Sequence, residues 1–101
     1  MYHNRPHVQD LRAMKKRGEK ISMLYVSSHD EVAAAAAAGI HMLSIEGKVF
    51  DAAMREAAGD CFVQVGLPYG GWGSFQGRPL STAEDFLRAA FHYAALGGDA
   101  Y

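Results

Sequence analysis

The sequence predicts an α/β protein in which parallel strands alternate with helices. Three short apolar runs are each followed by a segment of helical character, a helix-start signal precedes two of these segments, and glycine follows every helix. Strands that alternate with helices in this way are joined by right-handed crossovers and form a parallel sheet. We therefore expect a helix followed by three βα units and the first residues of a fourth strand.

The leading helix is predicted over 8–17. Its apolar side chains Val8, Leu11 and Met14 fall on one helical face. Basic residues fill its last turn, where cations offset the helix dipole, and Gly18 ends it.

The first βα unit is predicted over 21–38. Its strand, 21–26, is mostly apolar, as expected when both faces of a sheet are covered. Ser28 and Glu31 then have the spacing of a capping box, in which each side chain bonds the other residue's backbone. A run of alanines follows, with the highest helix propensity of any residue, and Gly39 stops the helix.

The second unit, 40–58, repeats this pattern. A strand over 40–45 ends at Glu46 and Gly47, and a helix over 49–58 follows it.

The third unit, 61–96, has a strand at 61–65 that is rich in β-favouring residues. After a long loop, Ser81 and Glu84 form a second predicted capping box. A wide apolar stripe is predicted on the helix behind it: Phe86, Leu87, Ala90, Phe91, Ala94 and Ala95. The fourth strand is predicted to start at 99–101.

The length of these units favours a barrel. A (β/α)8 barrel of about 250 residues has about 31 residues in each of its eight βα units. Three units therefore need about 93 residues, and the chain has 101. We expect residues 1–101 to be a single partial domain, the N-terminal portion of a (β/α)8 TIM barrel. Both sheet edges would lack partners, so we expect a fragment or a homo-oligomer. An open sheet of three to four strands is the alternative.

Composition excludes several classes of protein. Ten basic against eleven acidic residues give a net charge of −1, without the basic excess of a nucleic-acid or membrane-surface protein. A single cysteine excludes an internal disulfide. The apolar runs are far shorter than the roughly 20 residues of a membrane span, and the N-terminus has no signal-peptide core. We expect a cytoplasmic protein with neither nucleic acid nor membrane as a partner.

Four segments in chain order resemble the ketopantoate hydroxymethyltransferase family (3-methyl-2-oxobutanoate hydroxymethyltransferase). They are DLRAMKKRGEKI at 10–21, AGI at 38–40, VGLPY at 65–69, similar to the family's Ala-Asp-Leu-Pro-Phe, and GGDA at 97–100. That family belongs to the phosphoenolpyruvate mutase and isocitrate lyase superfamily of (β/α)8 barrels. The opening segment is the most specific of the four, and together they span nearly the whole chain.

The resemblance implies a one-carbon transfer to a small 2-oxo acid in pantothenate biosynthesis. The acid is deprotonated next to its carbonyl, and Mg²⁺ stabilises the enolate as a Lewis acid. The enolate then takes a one-carbon unit from the co-substrate methylenetetrahydrofolate. Two alternatives stay open: a superfamily lyase that cleaves a C–C bond of a small carboxylic acid, and a non-catalytic barrel homologue with a role in assembly.

The resemblance implies a metal site at the ends of the second and third strands. Glu46 is the candidate ligand, since its carboxylate is a hard oxygen donor of the kind Mg²⁺ prefers. It lies one residue before the family's first carboxylate, and Gly66 stands where the family has the second.

Candidate substrate-binding residues follow the predicted strands, at the end where barrels hold their active sites. Ser27 and Ser28 could contact a substrate carboxylate, although capping also accounts for Ser28. Gly47 and Lys48 follow the second strand. Lys48 offers a positive charge to an oxo acid, or is a solvated surface lysine.

The loop over 67–78 opens at this same end. Its glycines and aromatic residues, Tyr69 and Trp72 among them, could form a lid over a substrate or an interface with another subunit. No residue is identified as catalytic, because no nucleophile–base arrangement is present.

Overall fold

The structure is a computed structural model that describes residues 5–68 and 73–101. Its strands form one parallel sheet in the order β1-β2-β3, which confirms the predicted α/β class and strand direction. In chain order the elements are α1 (Val8–Lys16), β1 (Met23–Tyr25), α2 (His29–Ala37), β2 (Met42–Glu46), α3 (Ala52–Ala58), β3 (Phe62–Gly66) and α4 (Ala83–Ala95).

Each strand of the sheet lies beside the one that precedes it in the chain, always on the same side. Beyond β3, Gln64 and Ala100 form a parallel bridge, and the Val65 N–H donates to the Ala100 carbonyl at 2.8 Å. This is where the start of the fourth strand was predicted, at 99–101. The strand order therefore shows no reversal within the described residues, whereas a doubly wound sheet reverses its order near the middle.

The core lies between one face of the sheet and the helices that follow the strands. Alternate residues of β2 and β3 point into it, because side chains of a strand alternate between faces. One buried cluster contains Leu43, Ile45, Val63 and Val65 from the strands together with Val32, Ala35, Met54, Ala58, Ala89 and Tyr93 from the helices. The helices α2, α3 and α4 thus cover the same face.

The first strand departs from its prediction. It is shorter than 21–26, and its three residues Met23, Leu24 and Tyr25 are 50%, 45% and 58% exposed. The expectation of a strand covered on both faces is wrong here. The physical reason is position, since β1 is the edge of the sheet and pairs only with β2 among the described residues.

The start of α4 lies one residue later than predicted. The N-cap is Thr82, not Ser81, and its partner is Asp85, not Glu84. Thr82 Oγ1 accepts from the Asp85 N–H at 3.1 Å, and the Asp85 carboxylate accepts from the Ser81 and Thr82 N–H groups at 3.2 Å. Asp85 binds two backbone donors at once, which Glu84 in its exposed position does not.

The predicted apolar stripe of α4 faces outward. Phe86, Leu87 and Phe91 are exposed, whereas the buried residues of the helix are Asp85, Ala89 and Tyr93. Small Ala89 lets the helix approach the sheet, and the Tyr93 ring packs 5.8 Å from Phe75. The predicted apolar stripe therefore does not mark the buried face, because this helix is apolar on more than one side.

A buried arginine joins the segments at the amino end of the sheet. The Arg55 guanidinium on α3 donates to the carbonyls of Gly59, Cys61 and Gly97 and to the Asp99 carboxylate. These acceptors lie just before β3 and just before the bridge at Ala100. Arg55 therefore holds the entries of two neighbouring strands together.

Candidate functional site

The three strands end beside one another at the carboxyl edge of the sheet. β1 ends at Tyr25, β2 at Glu46 and β3 at Gly66. The register places Tyr25 opposite Ser44 and Glu46 opposite Gly66. Because side chains alternate between faces, Tyr25, Ser44 and Glu46 lie on the face away from the helices. In a barrel, that face is the interior.

Tyr25, Glu46 and Lys48 form what we call the rim cluster. The Lys48 ammonium lies 3.2 Å from Glu46 Oε2, and the Tyr25 hydroxyl is near enough to the same carboxylate for the two groups to shift each other's pKa. The Tyr25 bond and then the Lys48 contact lower the pKa of Glu46. The hydrogen bond to Glu46 raises the pKa of Tyr25. The cluster therefore places an ionised carboxylate beside the Lys48 ammonium and the Tyr25 hydroxyl.

The rim cluster is open to solvent. The side chain of Lys48 is 60% exposed and that of Glu46 is 39% exposed. The contact between them is thus screened by water and contributes little to stability. A soluble anion can reach the ammonium without any rearrangement of the core.

Ser27 and Ser28 are engaged at the start of α2. Ser28 Oγ accepts from the Glu31 N–H at 3.2 Å, which confirms Ser28 as the cap, but the return bond of the predicted capping box goes to Ser27 instead of Ser28. The Glu31 carboxylate accepts from the Ser27 N–H at 2.8 Å and from Ser27 Oγ at 3.0 Å. These bonds lower the pKa of Glu31. The Ser27 proton is committed to Glu31, so neither serine joins the rim cluster.

Gly47 has a packing role next to the rim cluster. Its N–H donates to the Gly66 carbonyl at 2.8 Å, which continues the pairing of β2 with β3. A Cβ atom at this position would lie 2.7 Å from the Cζ and Oη atoms of Tyr93 and 3.0 Å from the Gly66 oxygen. Glycine therefore allows the buried Tyr93 ring to pack under the edge. Tyr69 and Trp72 lie outside the described residues.

The residues present do not fit the two-carboxylate magnesium site that the resemblance implies. Gly66 offers no side-chain oxygen, and Glu46 is already paired with Lys48 and Tyr25. Across residues 5–68 and 73–101, no three His, Cys, Asp or Glu side chains are grouped so as to hold a metal ion.

Sequence reasoning overlooked Tyr25. The residue belongs to an apolar run that was interpreted as a covered strand, and its hydroxyl was not considered. The signal available was its place at the end of β1, since parallel strands end at one edge and Glu46 ends the next strand. Aligning the two strand ends would have placed these side chains side by side.

Comparison with family models, curated proteins and solved structures finds no match to this chain. Within the part of the chain that the structure describes, none of the helices has the length and apolar character needed to cross a bilayer.

Proposed function

We propose that this chain forms the first three βα units of a (β/α)8 barrel that binds a small 2-oxo acid, in a one-carbon transfer like that of ketopantoate hydroxymethyltransferase. The fold part of the proposal is supported by a sheet that grows in one direction with α2, α3 and α4 on one face. Barrels repeat this arrangement until the sheet closes.

The rim cluster is the observation that supports the functional part. It places a lysine, a tyrosine and a carboxylate together at the carboxyl edge, where barrel enzymes bind their substrates. The Lys48 ammonium supplies a charge for the substrate carboxylate. The Tyr25 hydroxyl interacts with Glu46, and Glu46 in turn positions the Lys48 ammonium.

The rim cluster binds the substrate in this proposal and does not abstract its proton. The pKa of Glu46 is lowered, which makes its carboxylate a weak base. The pKa of Tyr25 is raised, so its hydroxyl keeps its proton at neutral pH. The general base and the contacts to methylenetetrahydrofolate are therefore assigned to other parts of the complete barrel.

The free sheet edges support the further proposal of a homo-oligomer or of additional barrel units. Backbone groups of β1 lack a second partner strand among the described residues, and exposed strand edges pair readily with other chains. The exposed apolar residues of α4 (Phe86, Leu87 and Phe91) add to this uncovered surface.

A non-catalytic barrel homologue is the second candidate. Gly66 in place of a carboxylate and the Glu46–Lys48 pair favour it, because together they depart from the metal site of the resembled family.

The test uses the protein in its full natural length. Isothermal titration with 3-methyl-2-oxobutanoate is expected to show binding that weakens at least tenfold in Lys48→Met. Lys16→Met is the matched control, since Lys16 is an exposed lysine on α1, and it should leave binding unchanged. Ketopantoate formation from 3-methyl-2-oxobutanoate and methylenetetrahydrofolate tests the transfer itself. Binding without product favours the non-catalytic homologue. No binding refutes the proposed function.

A further inference from the structure

The carboxylate at the end of β2 already has a cation beside it. In the resembled family this part of the barrel holds a metal ion, whereas here the Lys48 ammonium lies 3.2 Å from Glu46 Oε2. We propose that Lys48 takes the place of the metal, so that the rim cluster binds the carboxylate of a small 2-oxo acid directly and without a divalent cation. This inference rests on the proposed function.

The donor inventory of the rim cluster suits an anion. A lysine ammonium has three N–H donors and no acceptor. The ammonium lies 3.2 Å from Glu46 Oε2 and its side chain is 60% exposed, so N–H donors remain accessible to an incoming carboxylate.

The same geometry disfavours Mg²⁺. A magnesium ion requires near-octahedral oxygen ligands at about 2.0–2.1 Å and gives up its water reluctantly. Binding at Glu46 would place the ion against the Lys48 ammonium, and two cations on one carboxylate repel each other. The neighbouring strand offers no compensation, because Gly66 lies directly opposite Glu46 in the register and has no side chain.

Space does not prevent a carboxylate at position 66. A Cβ atom built on Gly66 would have its nearest neighbours at 3.8 Å (Glu46 Cα) and 3.9 Å (Ile45 carbonyl oxygen), which is ordinary contact. The glycine is therefore not imposed by packing, in contrast to Gly47. The Cβ atom of a variant that adds the second carboxylate and removes the competing ammonium therefore has room at this position.

The experiment measures the affinity of the full-length protein for 3-methyl-2-oxobutanoate by isothermal titration, once in EDTA and once with Mg²⁺ in excess. The two affinities are expected to agree within twofold. Lys48→Met is expected to bind at least tenfold more weakly in EDTA, without rescue by Mg²⁺. Lys48→Gln serves as a second, polar variant, and Lys16→Met is the control.

The double variant Gly66→Asp with Lys48→Met tests whether a metal site forms when the second carboxylate is added and the ammonium is removed. It should gain binding of Mg²⁺ alone, which we expect the wild-type protein to lack, and should bind the acid only when Mg²⁺ is present. Circular dichroism melting establishes that each variant is folded before titration.

The outcomes separate this inference from the proposed function. Wild-type binding that requires Mg²⁺ and is lost in Glu46→Gln overturns the inference and leaves the proposed function standing. Unchanged binding by both folded Lys48 variants in EDTA also overturns it. The inference is also overturned if the double variant binds the acid in EDTA as tightly as the wild type does. If the wild type binds no acid under either condition, the proposed function is refuted together with the inference.

Discussion

Replacing Arg55 with methionine tests whether this side chain holds the amino end of the sheet together. The residue is 7% exposed and donates four hydrogen bonds, at 2.8 Å to Gly59 and Cys61 and at 3.1 Å to Gly97 and Asp99. Burial lowers the pKa of Arg55, while the neighbouring Asp99 carboxylate opposes this shift. Methionine keeps the apolar stem and removes every donor.

The expected loss follows from these contacts. A hydrogen bond to a charged group contributes about 1.5–3 kcal/mol, so four give an upper bound of about 6–12 kcal/mol. The cost of burying the guanidinium offsets part of this sum, and Asp99 keeps two other donors, Arg5 at 2.7 Å and the Val63 N–H at 3.0 Å. Breaking a buried ion pair from one side costs about 3–5 kcal/mol. We adopt that range for the free energy of unfolding.

The assay is urea unfolding followed by circular dichroism, together with thermal melting. A loss of about 3–5 kcal/mol lowers the midpoint of a domain this size by roughly 12–40 °C. Arg55→Lys keeps the charge with fewer directed donors and should fall between wild type and methionine. It also gives a measurable result if the methionine variant does not fold.

The matched control is Arg17→Met. Arg17 forms an ion pair with Glu19, but the two side chains are 59% and 49% exposed, and exposed pairs contribute at most about 1 kcal/mol. If Arg55→Met destabilises the protein no more than Arg17→Met does, the assignment of Arg55 as the link between the two strand entries is wrong.

Two further predictions concern α4 and the edge of the sheet. Hydrogen bonds from the amide groups at the start of α4 hold the pKa of Asp85 at about 2, below its ordinary 3.8. The stability it provides is therefore present above pH 3.8 and is lost as the pH falls through about 2. Melting curves across this window should show a smaller acid dependence for Asp85→Asn and an unchanged one for the control Glu84→Gln; equal slopes for Asp85→Asn and wild type would contradict the assignment. Gly47→Ala should cost about 1–3 kcal/mol in urea unfolding, because its Cβ would lie 2.7 Å from Tyr93, whereas Gly66→Ala has room and should change stability by under about 0.5 kcal/mol. Equal effects of the two alanines would show that the close approach to Tyr93 does not matter.

The candidate site was only partly predictable from the sequence. Glu46 and Lys48 could be identified because they stand at the end of a recognisable strand. Their side chains are close together simply because the residues are two positions apart in the chain. The interaction of Glu46 with Tyr25 depends on the register of β1 against β2. Ser27 was chosen for the same reason as Lys48, but its hydroxyl proton is used by Glu31.

The sequence by itself determined the alternation of strands and helices, the cap at Ser28 and the end of α2 at Gly39, where φ is +80°. These features are local, since a cap or a positive φ depends on residues a few positions apart. Only the tertiary structure decided which face of α4 is buried and that Arg55 joins two strand entries. Such choices depend on partners distant in the chain, and a helix that is apolar on several sides does not indicate which side packs against the sheet.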